Sequence, residues 1–278
     1  MRKYLIGMIL FCSLYGCGST TKSDKNENDE INSSKNSAKT VYNQAYQENF
    51  DADSMEYIVK NAKGSYVLVD VFLENVIENI EKIKENNNEV AGYISAGTAE
   101  NYRDDFNDLE PFIVSKAWSE WSNEFFINDT NSALKIMKKR IDKMAKLGLD
   151  WVEFDNMDWV DDENREKYNL SVTDDEGMEY IQALCTYTHE KNMKCMAKNT
   201  VDGFENFDGV LYESYDNEKN WWDNEGTKLF LKEEKLVIIN HYNEKNCDEV
   251  FQEYKEFYKT QSLSFICEDM NLKRYRHY

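Results

Sequence analysis

The stretch Gly148-Leu149-Asp150-Trp151-Val152-Glu153-Phe154-Asp155-Asn156-Met157-Asp158 decides how the chain is read. Before it, Ala133 to Leu147 carries Leu134, Met137, Ile141, Met144 and Ala145 at helical spacing. Gly148 then stops the helix, because glycine tolerates the left-handed conformation a C-terminus needs. Leu149 to Asp155 reads as a short strand closed by an acid. After it, Thr173-Asp174-Asp175-Glu176 has the spacing of a capping box and opens a helix reaching about Lys191. Helix, strand, helix is the repeating unit of a parallel α/β fold.

The unit repeats outward in both directions. Tyr66–Phe72, Val90–Ser95, Met193–Lys198, Gly209–Glu213, Lys235–Asn240 and Leu263–Cys267 are further strand candidates. Val76–Ile83 and Asp248–Tyr258 have helical spacing between them. An eighth, degenerate strand falls in Thr40–Tyr46, TVYNQAY. Residues 96–130 form a long polar and aromatic segment with no clear element. No GxGxxG or Walker loop follows any strand, which argues against an open nucleotide-binding sheet. The expectation is a single (β/α)₈ TIM barrel over residues 41–278, with parallel strands and right-handed crossovers.

Residues 1–17, MRKYLIGMILFCSLYGC, pair a basic start with an apolar run too short to span a bilayer. Leu14-Tyr15-Gly16-Cys17 resembles a bacterial lipobox, which makes Cys17 the expected lipidation site. Residues 18–40 contain only Ile31 and Ala38 as apolar side chains and read as a flexible tether. The expected location is therefore the bacterial cell envelope, lipid-anchored outside the cytoplasm. The chain carries −20 in all, of which +2 lies in 1–17 and zero in 18–40, leaving −22 on 41–278. That sign disfavours nucleic acid and suits a cationic ligand. Cys185, Cys195, Cys247 and Cys267 lack CxxC spacing, so zinc is not expected. Cys195 and Cys267 sit in apolar runs and read as buried thiols; an oxidising compartment would permit a bridge, but the sequence does not pair any of the four.

Most strand candidates end in a polar residue: Asp70, Ser95, Asp155, Lys198-Asn199, Glu213, Asn240-His241 and Glu268. In a barrel these ends surround one mouth. Two carboxylates there suit glycosidic bond cleavage, one acting at the anomeric carbon and one protonating the leaving oxygen. Asp155 and Glu213 are the expected pair, and Trp118, Trp121, Trp159, Trp221 and Trp222 lie in loops where flat faces stack on sugars. The acidic run 153–163 lacks the alternation and central glycine of a calcium loop. No serine stands in a G-x-S-x-G context, and His189, His241 and His277 form no metal triad, so neither metal nor cofactor is expected.

From Tyr66 to its end the chain resembles glycoside hydrolase family 114, the endo-α-1,4-polygalactosaminidase-like barrels. The resemblance rests on Gly92-Tyr93-Ile94-Ser95-Ala96-Gly97, Ala99-Glu100-Asn101-Tyr102-Arg103, Trp121-Ser122-Asn123-Glu124 and Arg140-Ile141-Asp142. It continues through Gly148 to Asp158, then His189, Ala197-Lys198-Asn199 and Phe207-Asp208 leading to Glu213. It implies a retaining α-glycosidase with Asp155 as nucleophile and Glu213 as acid/base. The substrate would be a partly deacetylated, cationic galactosamine polymer such as an exopolysaccharide. Asp70, Tyr93, Trp121, Glu153, Asn156, Asp158, Lys198, Asn199, Tyr215 and His241 are the expected substrate-binding residues. Thr98, Phe154, Tyr212 and His241 depart from the family pattern at subsite positions. A monomer is expected. The alternative is a non-catalytic carbohydrate-binding lipoprotein on the same barrel, which would have no need of both acids.

Overall fold

Val41–Gln44 (β1), Tyr66–Val69 (β2), Glu89–Ser95 (β3) and Trp151–Asp155 (β4) pair in chain order with Lys194–Lys198 (β5), Gly209–Ser214 (β6), Leu236–His241 (β7) and Leu263–Glu268 (β8). Every neighbour in that order is parallel. The computed structural model describes residues 38–45, 52–214, 226–243, 245–255, 262–268 and 275–278. The expected leader, Cys17 and nearly all of the tether lie outside the described residues. Among the described residues no helix is long and apolar enough to cross a membrane.

The period-two alternation of a strand sorts its side chains between two cores. Tyr66, Leu68, Ala91, Trp151, Met196, Leu211 and Ile238 meet inside the barrel. Val67, Val69, Val90, Val152 and Phe154 face outward into the larger core under the helices. Burying each aliphatic side chain of this kind contributes roughly 1.5–3 kcal/mol. The phase also fixes the polar residues. Glu153 and Asp155 share the face of Trp151, Lys198 that of Met196, Glu213 that of Leu211, and Asn240 that of Ile238. The inner core thus carries the acids and the lysine to the C-terminal ends of their strands.

The crossovers explain themselves locally. Thr130–Lys146 starts at Asp129, whose side chain accepts the Ser132 N–H, and buries Met137, Ile141 and Met144. It ends as expected at Gly148, at φ 71°. Gly148 N–H bonds to Ala145 O at 3.0 Å and Leu149 N–H to Met144 O at 3.2 Å, a paired closure of the last turn. Asp174–Glu190 opens with the capping box of Thr173 and Glu176. The helix expected at Val76–Ile83 is divided into Glu74–Ile77 and Ile80–Glu85. Asn79 lies at the break and turns its amide back to Asn75 O, at 2.8 Å. Between β5 and β6 the described chain makes only a 3₁₀ turn, Phe204–Asn206.

Within residues 96–130 the structure forms a hairpin, Thr98–Glu100 paired antiparallel with Glu124–Phe126. The reading of Cys195 and Cys267 as thiols is corrected, and the bridges that the sequence left open are formed. Cys195 is not a free thiol but is bonded to Cys185, joining β5 to the preceding helix; Cys267 is bonded to Cys247, joining β8 to the helix Cys247–Tyr254. Both sulfurs are buried as expected, yet partner choice depended on which helix packs on which strand.

β1 and β8 face each other across the remaining seam of the ring. Lys39 N–H donates to Ser264 Oγ at 2.9 Å at the start of the seam. Farther along, Tyr275–His277 pairs antiparallel with β8. The His277 ring lies 4.6 Å from that of Tyr42 on β1. The fold is a nearly closed (β/α)₈ barrel whose last gap the chain terminus fills.

Candidate active site

Asn156 and Asn199 each follow a barrel strand and each adopt φ 57°, the left-handed conformation that asparagine tolerates. The chain therefore turns sharply after Asp155 and after Lys198 and leaves both side chains at the mouth. Asn156 N–H returns to Asp155 Oδ1 at 2.8 Å. Gly97 runs beneath this turn: a Cβ there would stand 1.8 Å from Asn156 O, so only glycine fits. Ala96 N–H donates to Asp155 O at 2.9 Å, tying β3 to β4 at the site.

Asp155 and Glu213 face each other across Lys198. Lys198 Nζ lies 2.9 Å from Asp155 Oδ2 and 3.1 Å from Glu213 Oε2, so these two oxygens are within about 6 Å of each other. Tyr93 donates its hydroxyl to Asp155 Oδ2 at 2.9 Å. Burial first, and then the neighbouring Asp155 carboxylate, hold the Tyr93 phenol well above its usual pKa, so it stays a donor. Asn199 grips Glu213 twice: Nδ2 donates to Oε2 at 2.8 Å, and Oδ1 accepts the Glu213 N–H at 2.9 Å. Tyr242 donates to Glu213 Oε1 at 2.9 Å and accepts from Asn240 Nδ2 at 2.8 Å.

Burial alone would depress the Lys198 ammonium. The carboxylates of Asp155, Glu213 and Glu153 outweigh it and hold the pKa above the usual lysine value. Burial would raise Glu213, but Lys198, Asn199 and Tyr242 outweigh that and hold its carboxyl below the usual range. Asp158 is solvent-exposed, yet desolvation by its dense surround and the carboxylates of Asp155, Asp161 and Asp202 push it up to about 6. Among the described residues no group of three His, Cys, Asp or Glu has the arrangement to hold a metal ion.

The other expected site residues divide. Asn156 is at the mouth, with Nδ2 on Ser95 Oγ at 2.8 Å and Glu124 Oε2 at 3.3 Å. Asp70 is buried and receives Arg103 Nη1 on both oxygens, at 2.9 and 2.7 Å. Glu153 is buried in the barrel beneath Lys198. His241 is fully buried between Ser214 Oγ at 2.9 Å and Asn246 Oδ1 at 2.7 Å. Trp121 is exposed at 57%. Of the other tryptophans, Trp159 is buried with its N–H on Ile127 O at 2.9 Å, and Trp118 is half-buried, 5.0 Å from Phe126, so Trp159 packs the core and offers no stacking face. Tyr215, Trp221 and Trp222 lie outside the described residues.

A model of glycoside-hydrolase family GH114 matches residues 30–278. The chain belongs to GH114. No curated protein matches it by sequence. Among solved structures it is similar to Aspergillus fumigatus Ega3 in complex with galactosamine, with TM-score 0.66 and 19% identity over 87% of this chain and 95% of that one. It is also similar to the glycoside hydrolase domain of PelA from Pseudomonas aeruginosa, with TM-score 0.59 and 12% identity over 85% and 96%. At such identities these likenesses speak for the fold. Membership of GH114 makes the chain a glycosidase, and its mouth carries the paired carboxylates that such chemistry needs.

Two residues that the structure brings to the mouth were not among the strand-end candidates. Tyr242 lies one position past β7, and its reach back to Glu213 is a contact between strands. Glu124 stood in a quoted motif, but its place beside Asn156 depends on the hairpin.

Proposed function

We propose that this GH114 enzyme cleaves an α-linked, galactosamine-containing polysaccharide with retention of configuration. Asp155 is the nucleophile and Glu213 the acid/base. The observation that carries the reading is Lys198, which touches both acids and limits their nearest oxygens to about 6 Å. Retaining enzymes separate the two carboxyl groups by about 5–5.5 Å, and inverting ones by roughly 6.5–9.5 Å. Asp155 attacks the anomeric carbon and forms a glycosyl-enzyme while Glu213 protonates the departing oxygen. Glu213 then takes a proton from the water that releases the sugar.

The free site holds Glu213 ionised, so the acid step requires it to take up a proton. Oε2 faces two donors, Asn199 Nδ2 and Lys198 Nζ. Among the described residues Oε1 faces only the Tyr242 hydroxyl, which can reverse its hydrogen bond. The acid proton therefore belongs on Oε1. The charge of −22 on residues 41–278 supports a cationic polymer. Two disulfides support a working place outside the cytoplasm, with Cys17 as the lipid anchor.

The test is release of new reducing ends from partly deacetylated α-galactosamine polymer. Asp155→Asn and Glu213→Gln should each lower kcat at least about a hundredfold while retaining fold and polymer binding. Full activity in either variant, or inverted product configuration, overturns the assignment. Binding with no cleavage by the wild type on any α-hexosamine polymer would favour the non-catalytic alternative.

A further inference from the structure

His241 ends β7, one position before Tyr242, and its side chain turns away from the mouth. By the alternation of the strand it shares the face of Ile239, in the outer core beneath the helices. It is fully buried there, and its ring stacks on that of Phe265 in β8, with centres 6.4 Å apart. Both ring nitrogens are engaged. Nε2 lies 2.7 Å from Asn246 Oδ1, just before the helix Cys247–Tyr254, and Nδ1 lies 2.9 Å from Ser214 Oγ, at the end of β6. An amide oxygen only accepts, so Nε2 carries a proton, and the neutral ring accepts at Nδ1 from the Ser214 hydroxyl. The helix that follows Asn246 is itself bonded to β8 through Cys247 and Cys267. An imidazole in an apolar layer costs desolvation that an aliphatic side chain would avoid, and with both nitrogens satisfied it specifies one arrangement of the elements it joins.

Ser214 and His241 are register partners across β6 and β7, and so are Glu213 and Asn240. Tyr242 N–H continues the ladder onto Ser214 O at 2.8 Å. Each end of the Ser214–His241 clamp therefore adjoins a residue of the site: Ser214 follows Glu213, and Tyr242 follows His241. On the mouth side these neighbours meet. Tyr242 donates to Glu213 Oε1 at 2.9 Å and accepts from Asn240 Nδ2 at 2.8 Å. Lys198 and Asn199 reach Glu213 from β5 and the turn after it, so they do not govern how β7 sits against β6. A small slip between those two strands leaves their main-chain ladder in place but spoils the contact between the phenol and the carboxyl, because a hydrogen bond weakens steeply with distance and angle.

We propose that His241 is a positioning residue for the acid/base: from behind the barrel wall, through Ser214 and its neighbour Tyr242, it sets the phenol against Glu213 Oε1. The inference rests on the proposed role of Glu213. His241 touches neither acid, and its effect on proton transfer passes wholly through the place it gives to Tyr242.

The experiment compares His241→Phe, which keeps a ring on Phe265 but removes both nitrogens, and Ser214→Ala, which removes one hydroxyl, with the wild type. On partly deacetylated α-galactosamine polymer each should lower kcat about three- to thirtyfold with KM within about twofold. Each should also move the alkaline limb of kcat/KM upward by about half a unit, the direction expected when Glu213 loses its Tyr242 donor. His241→Asn, whose amide stands near the place of Nδ1, should restore most of kcat and of the limb. In a Tyr242→Phe background neither substitution should move the limb further. A limb that stays in place while Tm falls, a failure of His241→Asn to restore it, or a further shift in the Tyr242→Phe background overturns the assignment. Should His241→Phe not fold, Ser214→Ala decides alone. If the wild type cleaves no such polymer, the catalytic reading has failed, and a carbon NMR titration of the Glu213 carboxyl in the same variants still reads the clamp. A raised midpoint in Ser214→Ala that adds nothing to Tyr242→Phe supports it, and an unchanged midpoint overturns it.

Discussion

Lys198 gives one ammonium group to two acids, and its position governs what each can do. Its raised pKa and the lowered pKa of Glu213 have one origin, a buried cluster in which a single ammonium faces the carboxylates of Asp155, Glu213 and Glu153. Tyr242 contributes to the lowering by donating to Oε1. Tyr242→Phe removes that donor, so the Glu213 carboxyl should rise. In its proposed role as acid Glu213 must be protonated, so activity should fall as pH rises through its pKa. The alkaline limb of the kcat/KM profile should therefore move to higher pH, by up to about one unit. A limb that stays in place, or moves down, contradicts the role given to Oε1. Asp155, Lys198 and Glu213 were legible in the sequence because each ends an apolar run. Tyr242 and Glu124 were not, since neither terminates a pattern of its own.

The hairpin is held by buried charge rather than by apolar area. Arg103 donates from Nε and Nη2 to Glu100, both at 2.9 Å, and from Nη1 to Asp70. Arg140 on the helix Thr130–Lys146 donates to Asp105 at 2.8 and 2.7 Å. Asp70, read from sequence as a subsite residue, thus anchors the hairpin to the end of β2. Burial pushes its carboxyl up despite the pull of Arg103. Arg103→Ala would leave Glu100 and Asp70 buried without their shared cation. It should cost about 3–5 kcal/mol, read as a lower denaturant midpoint with an unchanged slope. A loss below about 1 kcal/mol would mean that water or a neighbour replaces the arginine. The helices on either side of β4 were legible, as the Gly148 closure and the Thr173 capping box are local signals. The hairpin was hidden because its strands are three residues each and lie 23 residues apart.

Two disulfides hold helices to β5 and β8, and β5 carries Lys198. Each closes a short loop of the whole ring, between residues separated by 10 and 20 positions. Removing one by paired Cys→Ala substitution should cost about 2–4 kcal/mol, measured as a lower Tm. Cys185→Ala with Cys195→Ala should also lower kcat, because β5 positions the lysine; unchanged Tm and kcat would rule out a structural role. Intact mass of protein extracted from membranes tests the proposed anchor at the same time. The expected species begins at Cys17, carries a diacylglycerol group and contains no free thiol. A mature chain beginning elsewhere, or free cysteines, would refute the lipid site or the bridges.

The sequence alone determined the order of strands, the barrel, the family and the residues at the strand ends, because periodicity and caps act over a few residues. The structure alone decided which cysteines bond, that Glu124 meets Asn156, that His241 lies buried, and that the chain terminus fills the seam between β1 and β8. Those outcomes depend on which distant segments share space, and the free energy of such contacts exists only once the ring has closed.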